Sequence, residues 1–421
     1  MSEINKISEQ EIKKDKKSIF LFVVFCYLFY LFLAFCPRIF NIQTPIFDYL
    51  ESTINYIPSL TTIFLYLLGL IGIIFGFFLP DLLKTKFVNI KNNSKIFKGK
   101  IIFYIFLFLY IICVFANILI LIKANAIPLF NISYRYLIDP KLYFIASLQS
   151  FFLPIIVFWL IYKHKKKFTI LFFVISFILT ILLGYRHIVF RIILTYFLVL
   201  FLFDKKLMKK TFLWFFALIF ILFFLVGLIS KSKIYSQEQR TKNNFVAPFE
   251  LAFSDSVGNF QYLEKVQKEI NLKGSKNGEI ISQSFLSLIP GQKSRYANYI
   301  IGEIVTGKNV QIRTYDSIVF EQPVSITATF VGPFYADFKY IGVIMGSLIV
   351  GVMLSLLLNI SLKNLLYVLL LIPFLIELCL SIYGGFFGAS TLIIFSISII
   401  SVLIYFILYI QQKKNENRIC K

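Results

Sequence analysis

The chain has 421 residues, of which 58% are apolar and 15% charged, and it carries 51 Phe. Soluble domains run near 45–50% apolar and about 25% charged, so no water-soluble fold can bury this much hydrocarbon and lipid must be its solvent. The net charge of +22 raises nucleic acid as a ligand, but no basic stripe interleaved with stacking aromatics stands in a soluble module, which excludes that class.

Runs long enough to cross a bilayer, about 20 mostly apolar residues, predict spans near 18–36, 59–79, 101–122, 141–162, 168–184, 188–203, 211–230, 331–358, 364–383 and 390–410. The expected fold class is therefore an all-α polytopic membrane protein of about ten transmembrane helices. Its first apolar run, Ile19 to Phe35, is too long for a signal-peptide core and lacks a small-residue cleavage site, so it reads as a retained anchor. The fifth and sixth spans are short and joined by Gly184-Tyr185-Arg186-His187. Residues 1–230 form an N-terminal bundle of about seven spans, 231–330 an exterior loop, and 331–421 about three spans with a short cytoplasmic tail.

Lysine fixes the expected orientation, because basic residues near span ends stay cytoplasmic. Of the 35 lysines, 23 fall in the two termini and in alternate connections, including Lys84 to Lys100, Lys163 to Lys167 and Lys205 to Lys210. Both termini are expected to be cytoplasmic, and the net charge is mostly this signal plus contact with anionic lipid heads.

Inside the exterior loop Phe249, Phe253, Val257, Phe260, Leu263, Val266 and Ile270 recur at three- and four-residue steps, with Glu264, Lys265 and Lys268 on other faces. This predicts an amphipathic helix, able to lie on the membrane or to cap a cavity. A second candidate, Ile280 to Ile289, stops at Pro290-Gly291.

Arginine is distributed differently from lysine. Of eight arginines only Arg418 is in the tail; Arg38, Arg135, Arg186, Arg191, Arg240, Arg295 and Arg313 fall on the exterior side or within about a turn of it. The planar guanidinium fork bonds phosphate or carboxylate in a bidentate way, which lysine does not. Outward arginines therefore point to an anionic ligand, although Arg38 and Arg135 could equally bind lipid phosphates or snorkel. Arg186 and Arg191 flank His187, and an arginine one turn inside apolar sequence is costly unless paired. His187 and Arg191, four apart, share a helical face.

Among other polar groups, Glu377 inside the ninth span pairs with a neighbouring helix, or serves as a counter-ion or proton carrier. Asp337, at the outer end of the eighth span, is a first-turn residue favoured by the helix dipole or a site carboxylate. The five cysteines show no CxxC spacing, and no P-loop, Rossmann glycine pattern, DxD pair, HExxH or GxSxG occurs. No divalent-metal ligand set is visible, and an exterior enzyme cannot draw on ATP. Its substrate must arrive already activated, as a lipid-linked pyrophosphate sugar does.

TATFVGPFYADFKYIGVIMGSLIVG (Thr327–Gly351) resembles the hallmark of Wzy-type O-antigen polymerases, the oligosaccharide repeat unit polymerases, in which Gly-x-Tyr-x-Asp-Phe-Gly runs into a span rich in small residues. LSLIPGQKSRYANYI (Leu286–Ile300) is similar to that family's Pro-Gly loop, AIPLF (Ala126–Phe130) to its Gly-Gly-Ile-Pro-Leu stretch, and GYRHIVFR (Gly184–Arg191) to its Gly-x-Arg element. Lys339 stands where the family has Gly, and Asn125-Ala126 replaces Gly-Gly. The resemblance implies a GT-C-like fold in the cytoplasmic membrane and an inverting, metal-independent glycosyltransferase without cofactor. That enzyme moves a growing glycan from polyprenyl pyrophosphate to a lipid-linked repeat unit, with a chain-length regulator and a flippase as partners. On this basis Arg186, Arg191 and Arg295 are expected to grip the pyrophosphate, with Arg135, Arg240 and Arg313 secondary. His187 is the expected base, Asp337 its rival and Glu303 a third. A ligase-like glycan transferase and a flippase or transporter of the lipid-linked oligosaccharide are the alternatives.

Overall fold

A computed structural model describes residues 9–39, 57–83, 99–123, 140–162, 165–183, 186–203, 217, 247–289, 295–306, 310–313, 319–322, 326–361 and 365–419. Its elements are α1 (Glu9–Ile39), α2 (Leu60–Leu82), α3 (Gly99–Lys123), α4 (Pro140–Ser147), α5 (Gln149–Tyr162), α6 (Lys166–Leu182), α7 (Arg186–Phe203), α8 (Ala247–Lys273), α9 (Glu279–Leu286), α10 (Ala297–Thr306), β1 (Val310–Arg313), β2 (Val319–Gln322), α11 (Gly332–Ser361), α12 (Leu365–Gly384) and α13 (Ala389–Ile419).

Six of the described helices are long and apolar enough to cross a membrane, over Lys16–Cys36, Leu60–Leu82, Phe103–Lys123, Gly332–Ser361, Tyr367–Gly384 and Ser390–Ile407. Three shorter apolar helices, Ile145–Ile161, Lys167–Leu182 and Ile188–Leu202, coincide with the fourth, fifth and sixth expected spans. The expected span 211–230 lies outside the described residues, apart from Ala217. Large apolar side chains are left uncovered, such as Phe25 at 61%, Phe64 at 57% and Phe75 at 66% exposure. Only hydrocarbon accommodates such a surface, and the chain is a multi-pass membrane protein.

Two details differ from the sequence reading. The fourth span is not one helix: α4 and α5 are separated at Leu148, and the Ser150 hydroxyl donates to the Ser147 carbonyl (2.8 Å) at the break. Pro154, inside α5, removes the N–H that would bond the Ser150 carbonyl, so the helix is weakened there as well. The chain is also not wholly helical. β1 and β2 pair antiparallel, from Val310 opposite Gln322 to Arg313 opposite Val319, and both strands carry β-branched residues that favour the extended backbone.

The contacts divide the chain into two units, the first from Met1–Asn92, Phe253–Arg313 and Val319–Lys421, the second from Asn93–Ala252 and Thr314–Ile318. In the first, α2 and α11 pack at backbone distance. A Cβ at Gly76 would meet the Leu348 carbonyl, one at Gly351 the Ile73 carbonyl, and one at Gly72 would lie 2.7 Å from the Ser347 Cβ. Small residues at helical spacing allow such an approach, which compensates for the lack of a hydrophobic drive between helices in lipid.

The ends of this unit are chemically distinct. At one, Lys16 Nζ donates to both Asp81 oxygens (2.9 and 2.7 Å) and to Asn359 Oδ1 (3.0 Å), joining the start of α1 to the ends of α2 and α11. At the other, Thr62 at the start of α2 donates to Gln267 of α8 (2.8 Å), and Tyr335 at the start of α11 donates to Asn271 of α8 (3.1 Å). Over Val257, Phe260, Leu263, Val266 and Ile270 the amphipathic face read from the sequence is the buried one, at most 3% exposed, with Lys265 and Lys268 pointing outward; the side chains of Phe249 and Phe253 lie outside the described residues. Phe260 meets the rings of Tyr66 (4.9 Å between centroids) and Tyr30 (5.8 Å), so α8 caps the α1/α2 end of the unit.

The second unit packs α3, α5, α6 and α7 around a polar network. Asn117 Nδ2 donates to Gln149 Oε1 (2.5 Å), and Tyr110 and Ser176 share a hydroxyl–hydroxyl bond of 2.5 Å. Hydrogen bonds of this kind hold helices together in lipid.

Candidate functional site

The hallmark-like segment Thr327–Gly351 also holds a break in the helical backbone. Within α11, Phe338 (φ −138°, ψ 22°) and Lys339 (φ 53°, ψ −140°) are non-helical, dividing it into a short arm, 332–337, and a long arm from residue 340. In a straight helix residues 334 and 346 would stand about 18 Å apart. Instead the Phe334 ring lies where a Gly346 Cβ would be, and the Phe334 carbonyl where a Gly342 Cβ would be. The short arm therefore doubles back along the long one, and only the missing side chains of Gly342 and Gly346 make room. Phe386 and Phe387 close over it, with centroids 5.5 and 5.1 Å from Phe334.

Asp337, fully buried, ends the short arm. One carboxylate oxygen accepts from the Ile280 N–H (2.9 Å) and the other from the Ile281 N–H (2.8 Å), the first turn of α9. The main chain continues the union, with Lys276 N–H donating to Ala336 O (2.9 Å) and Asn277 N–H to Asp337 O (3.0 Å). The residue preceding α9, Gly278, has φ 88° and offers α9 no side-chain cap. Asp337 supplies the cap from another element and adds the favourable meeting of a carboxylate with a helix N-terminus.

Upstream, Thr327 donates to Asn259 Oδ1 (2.5 Å), and Asn259 donates to the Tyr30 hydroxyl (2.7 Å) and the Tyr383 carbonyl (3.0 Å). Thr329 follows at φ 58°, fully buried, its hydroxyl without a hydrogen-bond partner among the described residues. A β-branched residue in that region is strained, and such strain gathers at functional segments.

Among the expected site residues, Arg295 is exposed and pairs with Glu303 at 2.9 Å. Arg191 is 6% exposed; its Nη1 donates to Ser150 (3.2 Å), and its guanidinium stands 4.9 Å from the Phe151 ring centre. Arg186 and His187 open α7, so His187 and Arg191 stand one turn apart on it. The side chains of Arg186, His187 and Arg313, and all of Arg135 and Arg240, lie outside the described residues. Arg191 belongs to the second unit, Arg295 and Asp337 to the first. Glu377 is buried and accepts from Thr391 of α13 (3.3 Å), the inter-helix pairing that was one of its two readings. Among the described residues no three His, Cys, Asp or Glu side chains group as metal ligands.

Missed from the sequence were the Asn259 junction, the strain at Thr329 and the cap donated by Asp337. Gly69, Gly72 and Gly76 in one span, with Ser347 and Gly351 in another, were a usable signal for the α2/α11 contact, by their three- and four-residue spacing.

These features define a multi-pass helical membrane protein with a folded cap on one end of its first unit. The family model described as "Putative O-antigen polymerase" matches residues 16–386, and the chain belongs to the O-antigen polymerase family. No curated protein and no solved structure matches it significantly.

Proposed function

We propose that the protein polymerises lipid-linked oligosaccharide repeat units at the outer face of the cytoplasmic membrane, with both termini cytoplasmic and a GT-C-like fold. The family match over residues 16–386 carries this reading. The exterior bias of arginine in the sequence supports it. A hydroxyl of the incoming repeat unit attacks the anomeric carbon of the growing glycan from the face opposite its leaving group. The bond from that carbon to the pyrophosphate oxygen breaks, and its electron pair departs with polyprenyl pyrophosphate. The hydroxyl proton goes to a base, a role assigned to His187 because imidazole is the side chain commonly used as a general base near neutral pH. Arg186, Arg191 and Arg295 are assigned to the charge that grows on the pyrophosphate, with Arg135, Arg240 and Arg313 secondary. A metal ion has no part in the scheme; a chain-length regulator and a flippase act beside the enzyme.

For Asp337, expected as a first-turn residue or as the rival base, we assign a positioning role. A carboxylate whose two oxygens already accept main-chain N–H groups suits a positioning residue that docks α9, and the base assignment rests with His187.

The test is glycan length on gels from cells carrying Arg186→Ala, against an inserted wild-type control. Collapse to a single repeat supports the polymerase. Loss of all surface glycan with lipid-linked units accumulating would favour ligation or export, and an unchanged ladder would overturn the arginine assignment.

A further inference from the structure

The proposed reaction needs two lipid pyrophosphates, and only one of them is a leaving group. The donor's pyrophosphate gains charge as the bond breaks and calls for arginine forks. The acceptor's pyrophosphate takes no part in bonding and needs only to be anchored. An open groove of about 490 Å³ beside the α11 kink has the chemistry for the second task, lined by Ser275, Phe338, Lys339, Tyr340, Ile341, Gly342 and Met345.

Three observations bear on its occupant. Lys339 is the single charged residue of the lining, and among the described residues no carboxylate pairs with it. Two acidic groups at the α9/α11 junction are engaged elsewhere: Asp337 on the Ile280 and Ile281 amides, Glu279 with Lys276 at 3.7 Å. The remaining lining is almost wholly apolar, and below it Ile341, Ile344, Met345 and Ile349 are 72, 40, 52 and 47% exposed at helical steps down the span. A lone cation above an apolar stripe complements a phosphate on a long hydrocarbon tail. Lastly, Lys339 holds φ 53°, a backbone state that glycine adopts freely and other residues rarely. The chain accepts strain there and keeps an ammonium group in return.

We infer that this groove seats the acceptor substrate, with the polyprenyl tail along Ile341 and Met345 and its pyrophosphate on Lys339. The choice of acceptor over donor rests on the polymerase reading above; the affinity for a polyprenyl pyrophosphate does not.

The test uses full-length protein in phosphatidylcholine nanodiscs and a photoreactive polyprenyl pyrophosphate without sugar, with crosslinked peptides mapped by mass spectrometry. The peptide containing residues 338–345 is expected to be labelled in the wild type. Labelling should fall at least fivefold in Lys339→Gly and Lys339→Gln. The glycine variant relieves the backbone strain, so its thermal midpoint should match or exceed the wild type, which separates lost binding from lost fold. Phosphatidylglycerol in tenfold excess should leave labelling unchanged, and Arg186→Ala should label as the wild type does. Undiminished labelling in Lys339→Gly, or displacement by phosphatidylglycerol, overturns the groove as a site for this lipid. Loss of labelling in Arg186→Ala overturns the assignment to the acceptor. Because no reaction is read, these outcomes are distinct from the glycan ladder that tests the polymerase itself.

Discussion

The carboxylate of Asp337 and the amide of Ile280, 57 positions apart in sequence, meet at 2.9 Å and make the first turn of α9 depend on the kink in α11. Helix caps usually come from the residue just before the helix; here that residue is Gly278. Removing the carboxylate leaves the buried Ile280 N–H and the partly buried Ile281 N–H without this acceptor, at a cost of about 1–3 kcal/mol. Asp337→Ala is expected to lower the thermal midpoint and to speed hydrogen exchange at the amides of 280 and 281, without change in the amides of α2. Asp337→Asn, which keeps one acceptor oxygen, should fall between. If Asp337 positions α9, its variants raise the acceptor KM more than they lower kcat. A catalytic base would show the reverse.

Asn259 joins α8 to three other parts of the first unit through Tyr30, Tyr383 and Thr327. Asn259→Leu keeps the branching and heavy-atom count of the side chain but removes the acceptor of the Thr327 hydroxyl and the donor to Tyr30 and Tyr383. A loss of about 2–4 kcal/mol is expected, read as a lower melting temperature in detergent.

The α2/α11 seam gives a paired test with opposite signs. Gly76→Ala puts a methyl group on the Leu348 carbonyl, which is backbone and cannot turn aside. It should separate the helices and reduce the yield of folded protein. Gly258→Ala in α8 meets nothing nearer than Tyr262 at 3.7 Å and should stabilise by about 0.4–1 kcal/mol, as alanine does in a helix interior.

Arg295 and Glu303 form an exposed pair, and such pairs contribute roughly 0–1 kcal/mol to stability. Neither Arg295→Ala nor Glu303→Ala should alter the melting temperature by more than a degree or two. If Arg295 contacts the pyrophosphate, Arg295→Ala shortens the glycan ladder and Glu303→Ala does not. Equal shortening by both would assign the effect to the pair.

Hydropathy made most of the spans legible, because in lipid the only requirement on a crossing helix is about 20 apolar residues. Periodicity made the buried face of α8 legible too, since Phe260, Leu263 and Val266 need burial whatever lies opposite. The break at Leu148 was hidden for the same reason: a kinked pair of helices is as apolar as a straight one. The role of Asp337 was hidden because its partners belong to another element, and nothing local distinguishes a carboxylate that caps a distant helix from one that takes a proton. The Lys at 339 in a motif that resembles Asp-Phe-Gly did signal an unusual backbone, and the positive φ is where that signal led.

The seam between α2 and α11 has a further consequence, for biogenesis. Gly76 leaves the ribosome roughly 270 residues before its contact at Leu348, and the second unit is made in between. At about 5–20 residues per second α2 waits on the order of ten seconds to a minute with its glycine stripe unpartnered in the bilayer, although Asp81 already has Lys16 of α1 within reach. Something must occupy that seam meanwhile, lipid or an insertase, and be displaced when α11 arrives. Assembly of the first unit is thus among the last events of synthesis, although its first two helices are among the earliest parts made.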